Sequence, residues 1–315
     1  MRAEAVNQRP SMSRSFRRRQ RLRLLFLLPM LVEFAVVFVY PLFNNVRMSL
    51  LRYDIAAFVS GRAPFVGFEN YVNILGNRLM EPTVINTVVF TVVSILFQFV
   101  IGMLLALLFK RRFAGAQLLR TLLLIPWLLP IIVSATTFRW MFDYTNGIIN
   151  QFLLDLHLIT HPLSWLITPQ LAMVSVIITN IWIGIPFNMV LLYGGLVAIP
   201  DEYYEAASID GASGPQSFWY ITVPALREVM MIVLMLGLIY TLKVFDVIMV
   251  LTGGGPADST QILSTWTYSL SFRSLSFGQG AAAGNLLIVI SLVFAVIYLR
   301  FSWTSLTGAR SGGGR

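Results

Sequence analysis

Six long apolar runs punctuate this chain, at about residues 24–46, 85–109, 119–141, 169–196, 228–251 and 281–302. Each has close to the ~20 residues that a helix needs to cross a hydrocarbon core. Apolar positions in these runs go all the way round a helical wheel instead of forming one stripe, as suits helices that face lipid and one another. No run alternates with a period of two, and the lengths are wrong for the short strands of a transmembrane barrel. The pattern predicts an all-α integral membrane protein with about six transmembrane helices. Composition agrees: 57% of residues are hydrophobic and 12% charged, against about a quarter charged in soluble domains.

Charge then orients the spans. Eight arginines fall in residues 1–23, a basic tail that reads as a positive-inside anchor and not as a nucleic-acid site. The first apolar run is too long for a cleaved leader, and Tyr40-Pro41-Leu42-Phe43-Asn44-Asn45 offers no small-residue cleavage site. Lys110, Arg111, Arg112 and Arg120 follow the second run, and Arg310 and Arg315 follow the last. With six spans all these positive segments share one face, so both termini and the loop at 198–228 are expected to be cytoplasmic. The expected organisation is a basic tail at 1–23, one membrane domain at 24–302, and a disordered tail at 303–315.

Chemistry is sparse. Cysteine is absent, and His157 and His161 are too few for a histidine-based metal site. The two lysines, Lys110 and Lys243, follow no glycine-rich phosphate loop, so the usual ATP cradle is missing. Gly253-Gly254-Gly255-Pro256 superficially suggests one, but no lysine follows it; a flexible, sharply turned outer loop is the expectation. Glu33, Lys243 and Asp246 lie in or near apolar runs, where a charge costs about 2.5–3.5 kcal/mol at mid-membrane. Lys243 and Asp246 are three apart. On one helix they would share a face and pair; the alternative is that Lys243 meets an anionic solute. Glu33 has no nameable partner.

One polar stretch stands out between the fourth and fifth runs. It reads Glu205-Ala206-Ala207-Ser208-Ile209-Asp210-Gly211, then nine residues, then Ile221-Thr222-Val223-Pro224. Asp201 is placed to cap a helix with Glu202 and Glu205 in its first turn, Gly211 to stop it, and Pro215 to open a second short helix with Phe218, Trp219 and Ile221. Unaided, the alternative is an amphipathic hairpin lying on lipid. The spacing, however, resembles the "EAA" loop of bacterial ABC importer permeases, with Val223 in place of the usual leucine. Further segments are similar to the carbohydrate-uptake branch of that family, with its maltose-type and glycerol-phosphate-type permeases. They are Val66 to Tyr71, Asn86-Thr87, Asn180 to Phe187, Phe245 to Pro256 and Gly280 to Ala283.

The resemblance spans about residues 22–302 and implies a type I importer permease fold in a bacterial inner membrane. It implies that Glu205, Ala206, Ala207, Asp210 and Gly211 dock on a separate ATPase. It further implies a second, different permease subunit, two ATP-binding subunits that use ATP and Mg, and an extracytoplasmic solute-binding protein. This chain would then hold no cofactor and catalyse nothing itself. By position in a maltose-type relative, the solute contacts fall on Asn180, Ile183, Gly184 and Phe187, then Gly237, Tyr240, Thr241 and Val244. Packing is the alternative role for such glycines and aromatics. A self-sufficient ion-coupled carrier would show repeated halves and buried ion ligands, and neither is visible. The EAA pattern also argues against a mere membrane-anchored interaction protein.

Overall fold

The computed structural model describes residues 26–111 and 113–311, the last of them as backbone only. Five helices are long and apolar enough to cross a membrane: α1 (Phe26–Ser49), α4 (Met80–Lys110), α9 (Pro169–Val197), α11 (Gly214–Leu242) and α14, which runs from Phe277 to Ser311. Short helices fill the intervals: α2 (Ile55–Ser60), α3 (Glu69–Leu75), α5 (Ala116–Leu122), α6 (Ile125–Leu128), α7 (Ile131–Met141), α8 (Ile148–Asp155), α10 (Glu202–Ile209), α12 (Asp246–Leu251) and α13 (Leu263–Tyr268). The described residues contain no named strand. The basic tail expected at 1–23 lies outside the described residues.

Two expected spans are broken. The run at 119–141 is not one rod, because α5–α6 and α7 meet at 96°. Pro130 is the cause: Leu129 before it is extended (φ −71°, ψ 144°), the conformation that a following proline imposes. The run at 228–251 breaks at Lys243-Val244-Phe245, where α11 ends and α12 begins. Turning the chain there lets Val247, Ile248 and Leu251 bury against Ala135, Phe138 and Phe142. Ser264 Oγ donates to Val244 O, satisfying one of the carbonyls that a helix end leaves free. At the C-terminus, α14 continues through Ser311, and the last four residues of the tail expected at 303–315 lie outside the described residues.

The central pair is α4 and α9. Gly102 allows close approach: a methyl there would lie 2.7 Å from Asn188 Cβ, and small residues are what let membrane helices touch. Two apolar clusters stack along this pair. One holds Phe90, Val176, Ile177 and Ile248; the other holds Met103, Ala106, Leu192, Leu196 and Val233. Between their levels on α4, α9 and α11 lie Gln98, Asn180, Gly184, Gly237 and Thr241. By contrast α1, with Glu33, stays exposed through Phe43. Its end is tied down by Asn45 Nδ2 to Asn285 Oδ1 (2.7 Å) and by Asn70 Nδ2 to Ser49 O (2.8 Å).

Candidate functional site

A cavity of about 470 Å³ opens between the two apolar clusters. Its wall includes all eight expected solute contacts: Asn180, Ile183, Gly184 and Phe187 from α9, Gly237, Tyr240 and Thr241 from α11, and Val244 from the break. Lys243 and Asp246 line it too. They form no ion pair, so the expected same-face pairing does not occur. The helix ends between them, and Lys243 Nζ instead lies 4.9 Å from the centre of the Tyr240 ring. Rings continue along the wall: Tyr240 meets Phe187 edge-on at 5.7 Å, and Phe187 meets Trp127 at 6.0 Å. Such a surface offers π faces to an apolar sugar face and a cation to an anion.

The floor is made of amides. Gln98 Nε2 donates to Asn180 O at 2.9 Å. Gly184 makes room for it, since a methyl there would lie 2.3 Å from Gln98 Cδ. Asn188 Nδ2 returns to Gly184 O at 2.9 Å. Asn180 is 6% exposed, yet its Nδ2 donor has no partner. A buried donor left unpaired is costly unless a ligand or water meets it. Gln98, Trp127, Leu129, Ile131, Phe245 and Val247 complete the wall, and the sequence reading missed them. For Gln98 a signal existed, a lone amide inside an apolar span. The others carry none, because only the bends at 129 and 243–245 bring them to the cavity.

At the other end of α9 the EAA stretch folds into a compact cap. α10 spans Glu202–Ile209, and Gly211 stands at φ 79°. Ala212 N donates to Ala207 O at 2.9 Å, the six-to-one bond of a helix stop with a left-handed glycine. Asp201 does not cap: it is already helical and its side chain makes no cap bond. It faces Lys110 Nζ at 3.9 Å instead. Glu205, Ala206, Asp210 and Gly211 are exposed, and Ala207 is half-buried. The second helix of the stretch is not a separate short one. Ser213 and Gln216 cap it reciprocally, and from Gly214 it runs through a wide π turn at Phe218–Thr222 into the whole of α11. One continuous helix therefore joins the exposed cap to the cavity wall.

The Thr252-Gly253-Gly254-Gly255-Pro256 loop is sharply turned, with Gly253 and Gly254 at φ 65° and 94°. It is also tied down. Thr260 Oγ1 donates to Gly255 O (2.8 Å), and Arg273 Nη1 donates to Gly253 O (3.3 Å). Among the described residues no cluster of His, Asp and Glu is suited to a metal.

Comparison with known proteins fits this architecture. The family described as "Binding-protein-dependent transport system inner membrane component" matches residues 98–302. The trehalose/maltose transport system permease protein MalF of Thermococcus litoralis is 38% identical over 90% of this chain and 94% of its own length. The sulfoquinovosyl glycerol transport system permease protein SmoG of Agrobacterium fabrum is 31% identical over 89% of each chain. A chain of a bacterial ABC transporter that imports the acidic polysaccharide alginate shares the fold: TM-score 0.79, 23% identity, 93% of this chain and 99% of that one. This multi-pass membrane protein therefore belongs to the binding-protein-dependent transport system inner membrane components, the permeases of ABC importers.

Proposed function

We propose that this chain forms one half of the solute path of an ATP-driven importer for a sugar or sugar derivative in a bacterial inner membrane. The observation that carries the reading is the cavity. Residues from α9 and, fifty or more positions later, from α11 and the 243–245 break converge on one mid-span space with a buried, unpartnered amide donor. Asn180 and Thr241 then bond solute hydroxyls, while Tyr240 and Phe187 stack on a sugar face. The relatives named for trehalose/maltose, sulfoquinovosyl glycerol and diacetylchitobiose transport support a carbohydrate.

In this reading α10 docks on a separate ATPase through Glu205, Ala206, Ala207, Asp210 and Gly211. Two such subunits use ATP and Mg, a second permease subunit supplies the other half of the path, and a solute-binding protein delivers the sugar from outside. Closure of the ATPase pair moves the cap, and the path alternates between its two faces. The test is reconstitution in proteoliposomes with the neighbouring gene products. Uptake of a radiolabelled sugar is expected only with ATP, the ATPase subunits and the binding protein together. ATP hydrolysis by this polypeptide alone would overturn the division of labour.

A second reading concerns the solute's charge. Lys243 lines the cavity without pairing to Asp246, which favours a sugar bearing a carboxylate, sulfonate or phosphate. Lys243→Met then abolishes uptake of an anionic sugar but spares a neutral one. Equal uptake of both sugars by wild type and variant removes this reading.

A further inference from the structure

The cap is fastened to two long helices through one side chain, Tyr204 of α10. Its hydroxyl meets Thr222 Oγ1 at 2.9 Å, and Thr222 sits in the wide turn through which α11 begins. Its ring lies under Lys110, the last residue of α4, with Nζ 3.8 Å from the ring centre. Lys110 also reaches Asp201, one turn earlier in the same segment, at 3.9 Å. Thr222 is 3% exposed and Tyr204 half-buried, so their bond is partly removed from water. Tyr204 and Phe218 also pack on the cluster of Met103, Leu192, Leu196 and Leu226.

We infer that Tyr204 is a positioning residue for transport, the joint through which movement of α10 is delivered to α4 and α11 together. The inference rests on the reading that α10 receives the ATPase. A cap moved by a partner drives the cavity only as far as the cap is rigidly held to the helices that line it. α10 itself touches nothing in the cavity. Both helices joined at Tyr204 do, α4 through Gln98 and α11 through Gly237, Tyr240 and Thr241. The wide turn adds a reason for the second tether. Such turns close on longer-range i→i+5 backbone bonds and frequently mark functional sites in helices. The bond from Tyr204 pins this turn at its last residue, so displacement of the cap is passed along α11 and not absorbed there. The three groups also differ in kind, one hydrogen bond, one cation over a ring and one ion pair, so each can be removed separately.

The experiment uses the whole transporter, with its partner subunits and binding protein, in proteoliposomes. It reads the solute imported per ATP hydrolysed. A residue that only holds the fold lowers uptake and hydrolysis in proportion, through the amount of intact complex, and leaves this ratio unchanged. Tyr204→Phe keeps the ring under Lys110 and removes the bond to Thr222; Thr222→Val removes the same bond from the other side, together with the long bond from Thr222 Oγ1 to Ser217 O (3.5 Å). Each is expected to lower the ratio by about fivefold or more, the factor that goes with one lost hydrogen bond, while ATP hydrolysis continues. The double variant is expected to be no worse than Thr222→Val alone, because the Tyr204–Thr222 bond is already gone there. Tyr204→Leu, which removes both tethers, is expected to lower the ratio further, with Lys110→Met intermediate.

An unchanged ratio in Tyr204→Phe and Thr222→Val overturns the proposal, as does a proportional fall of uptake and hydrolysis. Loss of the ATPase subunits from the purified Tyr204→Phe complex also overturns it, since Tyr204 then serves docking itself. Failure of the underlying reading looks different: the wild-type chain would co-purify with no ATPase at all.

Discussion

The cap at 201–222 and the cavity wall are built in opposite ways. The cap is one continuous segment whose conformation is set by neighbours in sequence: a glycine stop at Gly211, a reciprocal cap at Ser213 and Gln216, and a proline at 215. The wall is drawn from six helices and two chain breaks, and none of its parts makes a site by itself. A surface offered to a partner can be local, because the partner supplies the other half. A site that must enclose a solute inside a membrane has to be assembled from several helices, and its polar groups must pair across them. The cap is therefore expected to fail all at once when its surface is altered, and the wall by degrees.

The largest effect is expected at the cap. Ala207→Arg places a long cation on a half-buried surface, and Gly211→Val puts a β-branched residue at a φ that only glycine adopts freely. Uptake should fall to background in both while the chain still inserts, measured by sugar uptake and by the amount of chain in washed membranes. Full uptake with the ATPase still bound would place the docking surface elsewhere.

Next comes Asn180→Leu in the wall. Losing one solute bond costs about 1–3 kcal/mol, or roughly 5- to 150-fold in uptake at low sugar. Because the Nδ2 donor has no protein partner, the same change is expected to leave thermal stability equal or higher. A parallel loss of stability and uptake would mean that Asn180 is a packing residue.

Gly184→Ala probes the floor and is expected to be milder. The added methyl pushes Gln98 off Asn180 O, at a cost of about 1 kcal/mol, seen as a lower melting temperature of the purified complex. Combining it with Gln98→Ala should add little, because both changes act on the same contact. Full additivity would mean that the two do not meet. Thr241→Val is the smallest. Shape is kept and one hydroxyl goes, so a drop in uptake of a few-fold, with normal assembly, is expected.

The same contrast explains what could be read from the chain. The EAA pattern, the glycine stop and the proline start lie within twenty-odd consecutive residues, so spacing reveals them. The eight wall residues came from positional resemblance, and their meeting in one cavity is a property of the fold. Lys243 and Asp246 show the limit. At three residues apart they look like a pair, but the turn at 243–245 separates them. That turn exists because Val247, Ile248 and Leu251 gain burial against α7, a gain that no local pattern displays. Asp201 misleads in the same way: it is a good capping type, but Lys110, ninety residues away, is its partner.

What the sequence determined by itself is therefore whatever depends on local or averaged properties. Apolar runs of membrane-spanning length demand helices, since backbone groups in lipid must pair within their own segment. Turn and cap residues define the exposed cap. Only the tertiary structure decided where α11 breaks, how the third span bends at Pro130, and that Gln98 reaches Asn180 over the bare backbone of Gly184. These depend on packing volume and on bonds between residues far apart in sequence, which are fixed when helices meet and not before.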